Sequence, residues 1–229
     1  KSNLLKKHAK SFYWASFFLS NDIFNKCSSL YNFCRTLDDI VDDDNKLEVK
    51  KKKFYKFKKE FENNDPDNQI IKDMWSIINS ENISKKIVID LFDGVETDLE
   101  EKVEINSKKD LLVYSYRVAG TVGLMMSKIL KVNNKESLKG AIDLGIAMQL
   151  TNIARDVCED KKRKRRYIKS DFSSIKETIY DSEIFYQKSF KSISSITLRS
   201  RFSVIVARRI YKKIGDYILK QKNIENYNK

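Results

Sequence analysis

An all-α fold is what this chain of 229 residues predicts, and three observations carry the expectation. One Pro and six Gly leave little that interrupts a helix. Runs of Lys, Glu, Leu, Ile, Phe and Ala dominate, and no segment alternates apolar and polar residues cleanly enough to read as a strand. Polar residues also recur at helical spacing in two separate segments, an arrangement that suits a helical bundle around a central cavity. The length fits one large domain with a sizeable core, so residues 1–229 are read as a single all-helical domain.

Composition narrows the function classes. The 45 basic and 32 acidic residues leave a formal charge of +13, which suits an anionic partner such as nucleic acid, a membrane surface or a phosphorylated substrate. Most of that charge is Lys scattered along the chain, as on a solvated surface. Cys27, Cys34 and Cys158 show no CxxC spacing and sit in apolar helical contexts, which points to free thiols in a reducing compartment. There is no secretory signal, and no apolar run approaches the ~18 residues of a membrane span, so the chain reads as soluble or peripheral. With His8 the one histidine, zinc sites built on histidine and most hydrolytic triads are disfavoured. Metal chemistry would rest on carboxylates, which favours a hard cation such as Mg²⁺.

Residues 1–20 place Phe12, Tyr13, Trp14, Phe17 and Phe18 after a basic start, as in a helix docking on the core. Asn21 and Asp22 are good N-caps for a helix running through Tyr31 to about Asp42. In it Tyr31, Arg35, Asp38 and Asp42 recur at four, three and four residues and share a face. Asp38 and Asp42, one turn apart, repel each other unless a cation lies between them. An acidic surface patch is the equal alternative. An EF-hand is excluded, because a loop starting at Asp42 puts Leu47 where Gly is needed and Lys53 where Glu belongs.

Residues 47–61 read as a Lys-rich amphipathic segment, and Asp65-Pro66-Asp67 as the strongest turn. Helices are expected over 67–80 and 84–101, the second relaxed near Asp93-Gly94; Asp98, four residues after Gly94, says little by spacing alone. Residues 110–131 read as one helix whose small face, Ala119, Gly120, Thr121 and Gly123, suits either close helix packing or the wall of a groove for a long apolar ligand, with Tyr114 and Val118 at its mouth. Residues 145–167 carry the second stripe: Gly145, Gln149, Asn152, Asp156 and Asp160, spaced four, three, four and four residues apart on an otherwise apolar helix. Buried amides and carboxylates without partners are costly, so the stripe asks for a ligand. Six basic residues then run from Lys161 to Arg166, placed to fold over whatever the carboxylates hold. Helical segments complete residues 170–226.

Arg35 precedes Asp38 and Asp42, and Arg155 precedes Asp156 and Asp160. If the two helices face one another, Mg²⁺ bridging both acid pairs and an anionic ligand would satisfy them. Apolar walls above that site call for a diphosphate head on a hydrocarbon tail, and for departure of pyrophosphate to leave an allylic cation in a dry pocket.

HAKSF (8–12), YNFCRTLDDIVDD (31–43), YSYRVAGTVGLMM (114–126), LGIAMQLTNIARDVCEDKKRKRRY (144–167) and ARRIY (207–211) together resemble the squalene/phytoene synthases over nearly the full chain. YRVAGTVGLMM and AMQLTNIARDV are more similar to bacterial phytoene synthases than to squalene synthases. The resemblance implies an isoprenoid-synthase bundle that condenses two prenyl diphosphates head to head, geranylgeranyl diphosphate in the phytoene case, through a cyclopropyl diphosphate. It implies Mg²⁺ on Asp38, Asp42, Asp156 and Asp160, with Mn²⁺ as a substitute, and no NADPH for phytoene. Ser11, Arg35, Gln149, Asn152, Arg155, Arg165, Tyr167 and Tyr211 would contact diphosphate, Arg165 and Tyr167 from a closing flap. Phe12, Tyr31, Tyr114, Val118, Ala119 and Gly145 would line the pockets. Family members continue past the counterpart of Tyr211, so a C-terminal helix is expected to be missing here. A lipophilic substrate and product imply a peripheral place on the cytoplasmic face of a membrane. No nucleic-acid partner is expected, the oligomeric state is left open, and Lys161 to Lys164 receive no role. Rival readings are a squalene or dehydrosqualene synthase using farnesyl diphosphate, a non-catalytic relative serving as a scaffold, and a helical binder of nucleic acid or membrane resting on net charge.

Overall fold

A computed structural model describes residues 19–221. Among them nine α-helices follow one another: α1 (Asn21–Asp42), α2 (Leu47–Glu62), α3 (Gln69–Ser80), α4 (Lys85–Glu96), α5 (Lys108–Ser115), α6 (Thr121–Ile129), α7 (Lys135–Lys162), α8 (Phe172–Phe190) and α9 (Leu198–Lys220). No helix among the described residues is long and apolar enough to cross a membrane. The expected N-terminal helix, with Ser11 and Phe12, lies outside the described residues.

Ser20, not Asn21 or Asp22, caps α1, its hydroxyl accepting from the Ile23 amide at 3.4 Å. Leu30, Phe33, Leu37 and Val41 then repeat at three or four residues and bury one face of α1. Phe33 meets Phe57, Phe61 and Phe92 with ring centroids 5.5, 5.7 and 5.8 Å apart, so α1, α2 and α4 share an aromatic core. Most lysines of α2 face outward, but Lys50 donates to the Val41 carbonyl and Lys58 pairs with Glu96 of α4. After it Asn64 takes a left-handed φ of 50°, Asp65 accepts from the Asp67 amide, and Asn68 caps α3, which together form the expected turn.

Two expectations are corrected. Helix α4 runs through Asp93-Gly94 without a break; a Cβ on Gly94 would lie 2.6 Å from the Arg117 Cβ, so this glycine serves close packing. The chain instead tightens into a 3₁₀ turn at Thr97–Leu99, which carries Asp98. The helix expected over 110–131 is divided by a π-helical turn, Tyr116–Gly120, between α5 and α6. A third difference is a parallel pairing of two short strands, β1 (Val103–Glu104) and β2 (Arg165–Arg166), with Val103 opposite Arg165. Two residues are too few to show the alternation by which a strand is read from sequence.

The pivot of the fold is the crossing of α6 and the π turn with α7. A Cβ on Gly123 would stand 2.3 Å from the Ala141 carbonyl oxygen, and one on Gly145 2.3 Å from that of Ala119. Both glycines let two backbones touch. The Gly123→Ala variant should lose about 1–3 kcal/mol of stability, because the added methyl meets backbone that is slow to yield; the midpoint of urea unfolding measures the loss.

Candidate active site

Helices α1 and α7 contribute to the walls of one apolar cavity of about 320 Å³. Tyr31 comes from α1, Val118 and Ala119 from the π turn, Gly145, Gln149 and Asn152 from α7, and Tyr211 from α9. Of the small residues, Gly120, Gly123 and their neighbours pack helices closely, and Ala119 and Gly123 also line the cavity with Val118, whereas Tyr114, expected at its mouth, does not. On α7 the cavity-lining face continues one and two turns further to Asp156 and Asp160. Asn152 donates a side-chain hydrogen bond to Tyr211, while its Oδ1 is buried without a donor among the described residues.

The acid groups behave as a crowded set. Asp38 is exposed as a residue, yet the protein hems in its carboxylate. That partial desolvation, followed by the Asp42 charge, pushes it up to about 7 against the pull of Arg35. Asp160 is pushed up to about 7 as well, by burial first, then by Asp156, with Arg165 and Arg163 opposing. Asp98 stands within electrostatic reach of both and adds to each shift. Asp156 receives a two-pronged ion pair from Arg155 at 2.6 and 2.8 Å. Arg35 pairs with Asp39 at 2.6 Å, and its Nε is buried without an acceptor among the described residues.

The basic run is held in place by the strand pair. The Val103 amide donates to the Lys164 carbonyl at 3.1 Å and the Ile105 amide to that of Arg166 at 2.9 Å, so the segment after α7 is pinned to the one after Asp98. Arg165, 8 % exposed, donates to Asp42 at 2.7 Å, to the Val41 carbonyl at 3.1 Å and to the Asp98 carbonyl at 3.5 Å. Burial works against its positive charge, but Asp98, Tyr167 and Asp42 outweigh that and hold its pKa above the usual guanidinium value. Tyr167 stacks on Tyr114 with centroids 4.7 Å apart, and the two hydroxyls donate to Asp98 at 2.5 and 2.9 Å. Tyr114 thus sits beneath the basic segment and is absent from the cavity wall. Burial, then Arg165 and the two hydroxyls, act on Asp98 in opposite directions, and its pKa ends above the ordinary carboxylate value.

Asp98 is the site residue that sequence reasoning missed. Its one signal was its place four residues after Gly94, at the end of a helix, and its partners lie 16 and 69 residues away in the chain. Among the described residues no three acidic, cysteine or histidine side chains converge closely enough to hold a metal by themselves. The candidate donors Asp38, Asp42, Asp156 and Asp160 are all oxygen, the chemistry a hard cation such as Mg²⁺ prefers, and Asp38 and Asp160 are each pushed up by a neighbouring carboxylate that a cation would offset. Mg²⁺ is commonly bound by one or two carboxylates with the substrate's phosphates completing the shell.

Residues 5–173 match the family model described as squalene/phytoene synthase. A 15-cis-phytoene synthase of Pantoea ananas is 26% identical, the alignment covering 90% of this chain and 77% of that protein. A chloroplastic phytoene synthase 2 of Solanum lycopersicum is 29% identical over 93% of this chain and 78% of the relative. The crystal structure of a dehydrosqualene synthase in complex with ligand superposes with a TM-score of 0.82 at 26% identity, covering 99% of this chain and 88% of that one.

Replacing Tyr167 by Phe removes one of the two hydroxyls that donate to the Asp98 carboxylate. The variant should unfold about 1–3 kcal/mol more easily, the cost of under-satisfying a buried acceptor, and its amides at Val103 and Ile105 should exchange faster. Chemical denaturation and hydrogen exchange measure the two effects; unchanged values would show that Asp98 does not depend on this donor.

Proposed function

The chain belongs to the squalene/phytoene synthase family, and we propose that it condenses two molecules of geranylgeranyl diphosphate head to head to form phytoene. The observation that carries the reading is the single face of α7, which lines an apolar cavity at Gly145, Gln149 and Asn152 and then presents Asp156 and Asp160. A ligand that follows this face needs a hydrocarbon part and a polyanionic part, as a prenyl diphosphate has. The named relatives that make phytoene support the choice of product.

In this reading Asp38, Asp42, Asp156 and Asp160 hold Mg²⁺, which when bound neutralises the diphosphate and favours its departure. Arg35 and Arg155, with Gln149, Asn152 and Tyr211, supply cations and hydrogen bonds to the diphosphate oxygens, while Arg165 and Tyr167, bonded to Asp42 and Asp98, hold the basic segment across the carboxylates rather than donating directly. The apolar walls, with Tyr31, Val118 and Ala119 among them, keep water from the allylic cation left behind. The first half-reaction joins the two chains into a cyclopropyl diphosphate with loss of one pyrophosphate and one proton. The second rearranges that ring and loses the other pyrophosphate and a proton, so no reductant is required. Substrate and product are lipophilic, and the protein works at a membrane surface.

The dehydrosqualene synthase similarity favours one second reading, condensation of farnesyl diphosphate. Incubation of the purified protein with Mg²⁺ and either diphosphate, with and without NADPH, separates the two. Phytoene from the longer substrate without NADPH is expected, chelation of the metal should abolish it, and a product from farnesyl diphosphate alone overturns the phytoene assignment. Asp156→Asn should retain the fold and lower turnover by roughly 10²-fold or more. Near-normal turnover in that variant, measured under saturating Mg²⁺, would remove Asp156 from the site.

A further inference from the structure

The basic run contains a guanidinium to which the proposed reaction gives no task. Arg163 Nη1 lies 2.7 Å from Asp42 Oδ2, while Arg165 Nη1 lies 2.7 Å from Asp42 Oδ1. Both oxygens of Asp42 are therefore capped by arginine. We infer that Arg163 is an exchangeable counter-ion for Asp42, holding one carboxylate oxygen until a divalent cation displaces it and thereby setting how tightly the protein binds that cation. The inference rests on the reading of Asp42 as a metal ligand.

The two arginines differ in how firmly they are held. Arg165 is buried, belongs to β2, and bonds two backbone carbonyls besides Asp42. Its departure would strand a carboxylate and two carbonyls in a confined place. Arg163 precedes the strand, separated from it by Lys164 in a left-handed conformation with φ 59°, and its side chain is 41% exposed. Besides Asp42 its guanidinium reaches Glu159 at 3.9 Å. It can therefore move into solvent, or toward an anion arriving with the cation, without disturbing the strand pair. An incoming dication at Asp42 meets two guanidinium charges, and only the exposed one can withdraw cheaply. Because that pair is open to water, its influence is that of a partly screened ion pair, which corresponds to a roughly two- to fivefold change in a binding constant.

Titration of the whole chain with Mn²⁺ alone, water completing the shell in place of phosphates, tests this by following free Mn²⁺ by electron paramagnetic resonance, and a wild type that takes up no Mn²⁺ overturns the inference. Arg163→Gln should bind Mn²⁺ roughly two- to fivefold more tightly than the wild type, and the difference should shrink in high KCl. Arg163→Lys, which retains the charge, should restore wild-type affinity. A structural role for Arg163 predicts equal or weaker binding in the Gln variant, and that result overturns the inference. Asp42→Asn separates the two claims: if it binds Mn²⁺ as the wild type does, the assignment of Asp42 fails and the inference with it. Loss of binding in Asp42→Asn without any gain in Arg163→Gln sinks the inference alone.

Discussion

A charged guanidinium with little access to water is tolerated only if anions and carbonyls surround it, since withdrawing such a group from water costs several kcal/mol. Arg165 meets that condition by drawing together three separate parts of the chain: Asp42 and Val41 at the end of α1, the Asp98 carbonyl after α4, and its own position beside Val103 in the strand pair. Asp98 in turn gathers Tyr114 from α5 and Tyr167 from the basic segment. The meeting of Asp42, Asp98 and the basic segment follows from this one buried cation. The segment after α7 is thereby tied down across the carboxylates.

The apolar end obeys a different constraint. Helix α7 approaches α6 and the π turn so closely that Gly123 and Gly145 have no room for a side chain. The π turn widens the register of the helix at Tyr116–Gly120, and Val118 and Ala119 from that turn line the cavity. Close packing on one side and a hollow on the other are thus produced by the same short segment. The chemistry of the site follows from joining the two ends along α7, with a hydrocarbon-lined space beside carboxylates whose pKa values are raised by burial first and then by one another's charge. A diphosphate ester of a long alcohol, the proposed substrate, matches both halves.

Much of this was legible in the sequence. The helical class follows from composition, and the positions of α1 and α7 follow from their stripes, because a period near 3.6 residues reports which side chains share a face. The two Asp pairs and the amides Gln149 and Asn152 were visible for the same reason. Helix interiors were read more securely than their interruptions: the unbroken course of α4 past Gly94 and the π turn after Tyr114 depend on what packs against them, which lies elsewhere in the chain.

What the sequence determined by itself was therefore the set of faces: which residues each helix presents together, and that the stripe from Gly145 to Asp160, if buried, asks for a ligand, while the face of Asp38 and Asp42 suited a surface patch equally well. Only the tertiary structure decided how the faces meet. The bond from Arg165 to Asp42 spans 123 residues and that from Tyr167 to Asp98 spans 69, and no local period encodes either. The same holds for Tyr114, whose spacing suited a cavity wall but whose ring is drawn under the basic segment by Tyr167 and Asp98. Periodicity carries information about one helix at a time, whereas a buried charge is satisfied by whichever parts of the chain the packing brings to it.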